Sequence, residues 1–247
     1  MRTIGLVNES KLISYWDWRT LRFAMQQFAE LVAEAWDLDR PSVIEGAAPG
    51  GIELHVVDAF PPDAPANALG YHVRGTDRRL AYVTTTPELG IIVNGKATAS
   101  PFGTIIEAGP GTPATDTAPA LPGSPEQLFP GSLSEVMSHE IAEAMLDPLI
   151  TNYIKDEATG DQWLVEIGDH AGAYRHTLTI GQHKQRVIVA DFTLPAFYDR
   201  QGIAPFSYTG KVSAPFTLDQ YCYGYKETGG VGVRMGVDSI HGAADPS

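Results

Sequence analysis

The stretch "SHEIAEAMLDP", residues 138–148, sets His139, Glu140 and Glu143 among Ile141, Ala142, Ala144 and Met145. Segments this apolar are predicted to form helices buried over much of their surface. Burying an imidazole with two carboxylates then demands a cation or good polar partners. The ends of the helix are marked as well. In "SLSE", Ser132 is the expected N-cap and Glu135 its reciprocal partner, the spacing of a capping box. Pro148 biases Asp147 away from helical geometry, so the helix is predicted over 133–147.

Residues four apart project from one helix face, so His139 and Glu143 can grip a single ion from adjacent turns. Glu140 falls beside such an ion, where it can hold an activated water and accept its proton. The same residues also suit a half-exposed helix whose charges are solvated or paired. A zinc site wants a third protein ligand and an open position. "LVEIGDH" supplies Glu166 and Asp169, which lie 23 and 26 residues after Glu143. These two rank close together, above Asp147 at the helix break and above His170.

Around this helix the chain reads as α+β. "TIGLV" is a short buried strand, and "DWRTLRFAMQQFAELVAEAW" is an amphipathic helix with Leu21, Met25, Phe28, Val32 and Trp36 on its apolar stripe. Pro41 keeps that helix from running on. "GIELHVVDAF" alternates as a strand with one wetter face, and "ALGYHVRGTDRRLAYVTTT" reads as a hairpin turning at Gly75 to Arg78. Residues 98–134 are rich in Pro, Gly, Thr and Ala, the composition of a long loop that serves as a functional cover or a linker. "QWLVEIGD", "YRHTLTIG" and "QRVIVADFTL" are predicted strands. The expected organisation is 1–150 carrying the metal helix, with a β- and loop-rich 151–247 completing the site, the two packed as one compact domain.

"LGYH…LAYV", "SHEIAEAMLDP", "EIGD" and "DFTLPAFYD", in that order, resemble a family of uncharacterised, mostly bacteriophage-encoded proteins with a zincin-like core. The resemblance runs from about Gly70 to Tyr225. It implies a mixed twisted sheet with an N-terminal helix, an antiparallel edge strand and a metal helix, as in zinc peptidases. Carried onto this chain, it implicates His139, Glu140, Glu143 and the acids Glu166 and Asp169. The expectation is a metal-dependent peptidase with Glu140 as general base, acting on a peptide or protein substrate. "RRLAYVTTT" is the candidate strand for pairing with that peptide, and His72 is a more distant candidate for an oxyanion contact. The rival expectation is a structural component of a phage particle or other assembly; under either reading synthesis is expected in the cytoplasm, and under the rival the protein can be built into a virion. There the ion would only staple helix to strand among neighbouring proteins of the assembly.

Glu143 stands where established zinc peptidases carry a second histidine. A carboxylate there adds negative charge around the ion, so the bound water is less acidified than in a histidine-rich site. Zinc is the expected ion, and oxygen ligands let Mn²⁺ or Ca²⁺ compete.

Other function classes find less footing. A formal charge of −13 disfavours nucleic acid, which needs concentrated Lys and Arg. No apolar run reaches the roughly 18 residues of a membrane span, and "MRTIGLVNES" lacks the pattern of a secretory signal. The single cysteine, Cys222, excludes an internal disulfide and suits a buried thiol. There is no G-x-S-x-G, and "GPGTPATDT" lacks the G-K-[ST] of a phosphate loop. Asp191 is expected as a turn acid or as one that supports a ligand from behind rather than as a ligand, and Tyr221, Tyr223 and Tyr225 as packing or contact residues.

Overall fold

The computed structural model describes residues 2–62, 64, 68–72, 79–85, 92–93, 96–97, 100–103, 105–106, 127–128, 131–220 and 222–236. The first half builds one five-stranded sheet. Strand β1 (Thr3–Asn8) leads into helix α1 (Tyr15–Ala35), which returns the chain to β2 (Ser42–Glu45) beside β1. Strands β3 (Ile52–Val57), β4 (Gly70–His72) and β5 (Arg79–Thr84) follow. The order across the sheet is β2-β1-β3-β5-β4. All neighbours are parallel except β4, which runs antiparallel to β5 at the edge.

This arrangement corrects one expectation. The "RRLAYVTTT" segment contains β5, and β5 is paired on both sides, to β3 and to β4. Its backbone is therefore committed, and among the described residues the edge belongs to β4. Both segments read as short apolar strands, so local pattern does not tell edge from interior. The expected hairpin exists as the β4–β5 pair, while its turn, Gly75 to Arg78, lies outside the described residues.

Helix α1 starts at Ser14, whose side chain accepts the Asp17 N–H, satisfying one of the donors that a helix start leaves open. Leu21, Met25, Phe28 and Val32 are fully buried, and Leu31, Ala35 and Trp36 pack at the margin of the core. Side chains of this size stabilise by about 1.5–3 kcal/mol each when fully buried. The helix ends before Pro41 is reached, at Trp36, because Asp37 adopts a left-handed conformation with φ 51°.

Two short antiparallel pairs follow, β6 (Ile92–Val93) with β7 (Lys96–Ala97), and β8 (Ile105–Ile106) with β9 (Gln127–Leu128). The rest of the expected 98–134 loop is largely outside the described residues. Helix α2 (Leu133–Leu146) is buried at every position from Leu133 to Met145. Ser132 caps it, accepting the Glu135 N–H at 3.1 Å. The reciprocal bond shifts by one residue, because Glu135 Oε2 accepts from Gly131 N rather than from the cap itself. The other Glu135 oxygen takes the Arg175 guanidinium at 2.8 Å. A helix buried all round must satisfy its polar side chains inside. Ser134 donates to the Ile188 carbonyl, and Ser138 accepts from Ala190 N.

Those serine contacts dock α2 on a hairpin of the second half, β12 (Arg175–Ile180) with β13 (Gln185–Ala190). A separate antiparallel sheet has the order β10-β11-β14-β15, from β10 (Tyr153–Lys155), β11 (Gln162–Leu164), β14 (Tyr223–Thr228) and β15 (Val231–Gly236). The predicted strand in "QWLVEIGD" is thus only β11, and "EIGD" is a turn leading into a 3₁₀ turn at Asp169–Ala171. One buried core joins both halves: Phe28 of α1 meets Phe192 edge-on at 5.6 Å, and Val136 and Met137 of α2 belong to the same cluster as Val187 and Val189. The fold is α+β. No helix among the described residues is long and apolar enough to cross a membrane.

Candidate metal centre

Helix α2 sets His139 and Glu143 one turn apart with His139 Nε2 3.0 Å from Glu143 Oε1. The turn after β11 brings in Asp169, whose Oδ1 lies 3.0 Å from the same Nε2. Its backbone N–H also donates to Glu143 Oε1 at 3.2 Å. One ligand atom from each of the three residues lies within 4.8 Å of the others, and each residue is about 3% exposed.

The turn can come this close because residue 168 is glycine. A Cβ there would stand 2.9 Å from His139 Nδ1 and 3.1 Å from Glu143 Oε1. Glu140 points elsewhere, toward the edge strand. A Cβ on Gly70, the first residue of β4, would sit 2.5 Å from Glu140 Oε1. These two glycines are site residues that sequence reasoning passed over. Their only signal was a glycine inside an otherwise apolar segment, which marks close backbone approach.

The electrostatics of the cluster call for positive charge. Burial raises the Glu143 pKa, the Asp169 charge raises it further, and His139 only partly offsets them; the result is about 8. Burial alone would lower His139, but the Glu143 and Asp169 charges and bonds lift it well above its ordinary value. Asp169 goes the other way: despite burial, the His139 bond and charge hold it low, helped by hydrogen bonds that include the Tyr223 phenol. A single Nε2 can donate only one proton, yet it faces two carboxylates. Ligands bound to one ion at about 2.0–2.2 Å stand roughly 3.3–3.6 Å apart in a tetrahedral shell. The observed spacing is close to that, and one imidazole with two carboxylates is a donor set that zinc or manganese accepts. The residues therefore fit a divalent ion.

The other sequence candidates fall outside the trio. Glu166 is buried at the start of the same turn but is not in the three-residue group. Asp147 caps the C-terminus of α2 and accepts the N–H groups of Thr151 and Asn152 at 2.8 and 2.9 Å. His170 is a core residue: its Nδ1 meets Tyr198 Oη at 3.0 Å, its ring stacks on Phe197 at 5.1 Å, and burial pulls its pKa down to about 4. Asp191 holds a loop, accepting from Phe192 N and from Thr209 N and Oγ1. Cys222 is buried, and burial pushes its thiol up to about 11, which makes it a poor nucleophile. The His72 side chain and Tyr221 lie outside the described residues. Tyr223 does more than pack, because it bonds Asp169.

Comparison with protein-family models, with curated proteins and with solved structures found no match. The site is therefore read from its own chemistry. It offers three converging ligand groups and, on the same helix, a further buried carboxylate aimed at the sheet edge.

Proposed function

We propose that this protein is a metal-dependent hydrolase of the zincin type, with His139, Glu143 and Asp169 holding one divalent ion, zinc in the first place. The carrying observation is the convergence of Nε2 and two carboxylate oxygens from separate elements within 4.8 Å. The sheet supports the same reading: among the described residues, the antiparallel edge strand β4 lies beside β5 at the side of the main sheet that Glu140 faces.

A divalent ion held there supplies Lewis acidity, polarising a carbonyl and acidifying water. Glu140 accepts the proton of the attacking water and returns it to the leaving amine, a role that suits a carboxylate next to the ligands but outside their group. β4 offers its outer backbone edge to an extended peptide, and Gly70 leaves the space that Glu140 occupies between that edge and the ligands.

One observation favours a second reading. The three ligand residues and Glu140 are each about 3% exposed, as in a structural site that ties helix α2 to the 166–169 turn. Under that reading the chain is an ion-stabilised component of an assembly such as a phage particle. Elemental analysis and a mixed-peptide assay separate the two. The hydrolase yields bound ion and turnover that Glu140→Gln removes without removing the ion. Ion without turnover leaves the staple, and no bound ion sinks both.

A further inference from the structure

Asp169 stands on a three-residue 3₁₀ turn whose N-cap makes no side-chain bond. A segment this short has little internal means of fixing a rotamer. Yet the Asp169 carboxylate must present Oδ1 toward His139 while its own N–H reaches Glu143. Something outside the turn has to hold it.

The C-terminal hairpin lies across the turn residue by residue. Tyr223 donates its phenol O–H to the Asp169 carboxylate. The next residue, Gly224, runs so close to the next turn residue, His170, that a Cβ would stand 2.5 Å from His170 Cδ2 and Nε2. The hairpin is itself anchored. Trp163 of β11 pairs with Lys226 of β14, and Lys226 Nζ binds Asp161 Oδ2 at 2.6 Å. Tyr223 pairs with Gly236 in β15, and the Arg234 guanidinium lies 4.8 Å from the centre of the Tyr223 ring, a cation–π contact that holds the ring in place.

We propose that Tyr223 is a positioning residue for Asp169, so that strand β14 sets how tightly the His139, Glu143 and Asp169 cluster holds its ion. The proposal rests on the ion-binding reading above. A neutral phenol suits this role because it orients the carboxylate without cancelling the charge the ion needs. Groups that orient metal ligands in this way typically control 10–100-fold in affinity.

The test compares Tyr223→Phe with Tyr225→Phe, using cobalt(II) and zinc(II) salts as probes in competition with a chromophoric chelator. Tyr223→Phe is expected to weaken binding by about 10–100-fold and to shift the visible absorption of the cobalt-loaded protein. Tyr225→Phe, which removes the hydroxyl next along the same face of β14, is expected to do neither. Unchanged affinity and spectrum in Tyr223→Phe overturn the proposal while leaving the ion site standing. Wild-type protein that binds neither metal overturns both. Should Tyr223→Phe disturb folding, a double-mutant cycle with Asp169→Asn on the ion-free protein reads the same bond. Coupling between the two sites supports the proposal, and strict additivity overturns it.

Discussion

His139 Nε2 and Asp169 Oδ1 stand 3.0 Å apart although 30 residues separate them in the chain. Both are buried, and the same imidazole nitrogen also faces Glu143 at 3.0 Å. An ion-free cluster of this kind is short of positive charge, and its consequences can be measured.

Glu143→Gln should act with opposite signs on two readouts. It removes one of the two carboxylates that face His139 Nε2, so the chelator-treated protein should be as stable as wild type or more so. It also removes a proposed ligand, so added zinc should no longer raise the melting temperature. His139→Ala should lose the zinc response too, without the gain in the ion-free state. Thermal shift with and without zinc checks both.

The ion-free protein should lose stability as pH rises. Glu143 is lifted from 4.5 to about 8 and His139 well above 6.5, so in this window the folded state holds protons that the unfolded chain has released. The associated stability is fully present below the unfolded values and is lost as pH climbs through the folded ones. Asp169 is shifted down, so its contribution is lost only on the acid side, below about pH 4. Urea denaturation in chelator should therefore give a lower midpoint at pH 8 than at pH 5. Added zinc should narrow that difference, because the ion replaces the protons. An ion-free midpoint that rises between the two pH values would contradict the assignment.

The two site glycines should separate ion uptake from turnover. In Gly168→Ala the new Cβ meets His139 Nδ1 at 2.9 Å in a packed interior, so a loss of about 1–3 kcal/mol is expected together with weaker ion uptake. In Gly70→Ala the new Cβ meets the movable carboxylate of Glu140 at 2.5 Å and the buried Val136 Cγ1 at 2.7 Å, so some stability is lost here as well. That variant should still bind the ion but lose peptide cleavage as Glu140 is displaced. Chemical denaturation, chelator competition and the peptide assay, run on both variants, read the difference.

Asp147→Ala should weaken the fold and spare the ion. Asp147 accepts two backbone N–H groups just past α2, and losing such bonds at a buried carboxylate costs about 1–3 kcal/mol. Zinc affinity equal to wild type in the folded variant is the expected result. A large loss of affinity would put Asp147 among the ligands.

Some of this molecule is visible from local pattern. The apolar period of α1, the Ser132 cap, the break at Pro148 and the four-residue spacing of His139 and Glu143 all act within one turn or one helix. In such elements the backbone geometry itself dictates which side chains share a face. The shift of the Glu135 bond to Gly131, by contrast, depends on how the chain enters α2 and on Arg175 arriving from β12.

Choices between elements are not visible in this way. Asp169, Glu166 and Asp147 are all acids at plausible distances along the chain, and only the close pass of Gly168 over α2 brings Asp169 into the group. β5 and β4 read alike, and only the pairing order makes β4 the edge. Tyr223 belongs to a strand-like alternation, and only the docking of β14 on the turn gives its hydroxyl a carboxylate to hold. Local pattern fixes which groups each helix and strand presents. Packing selects which of them meet, because contacts between distant segments depend on the shape of the whole core rather than on any local period.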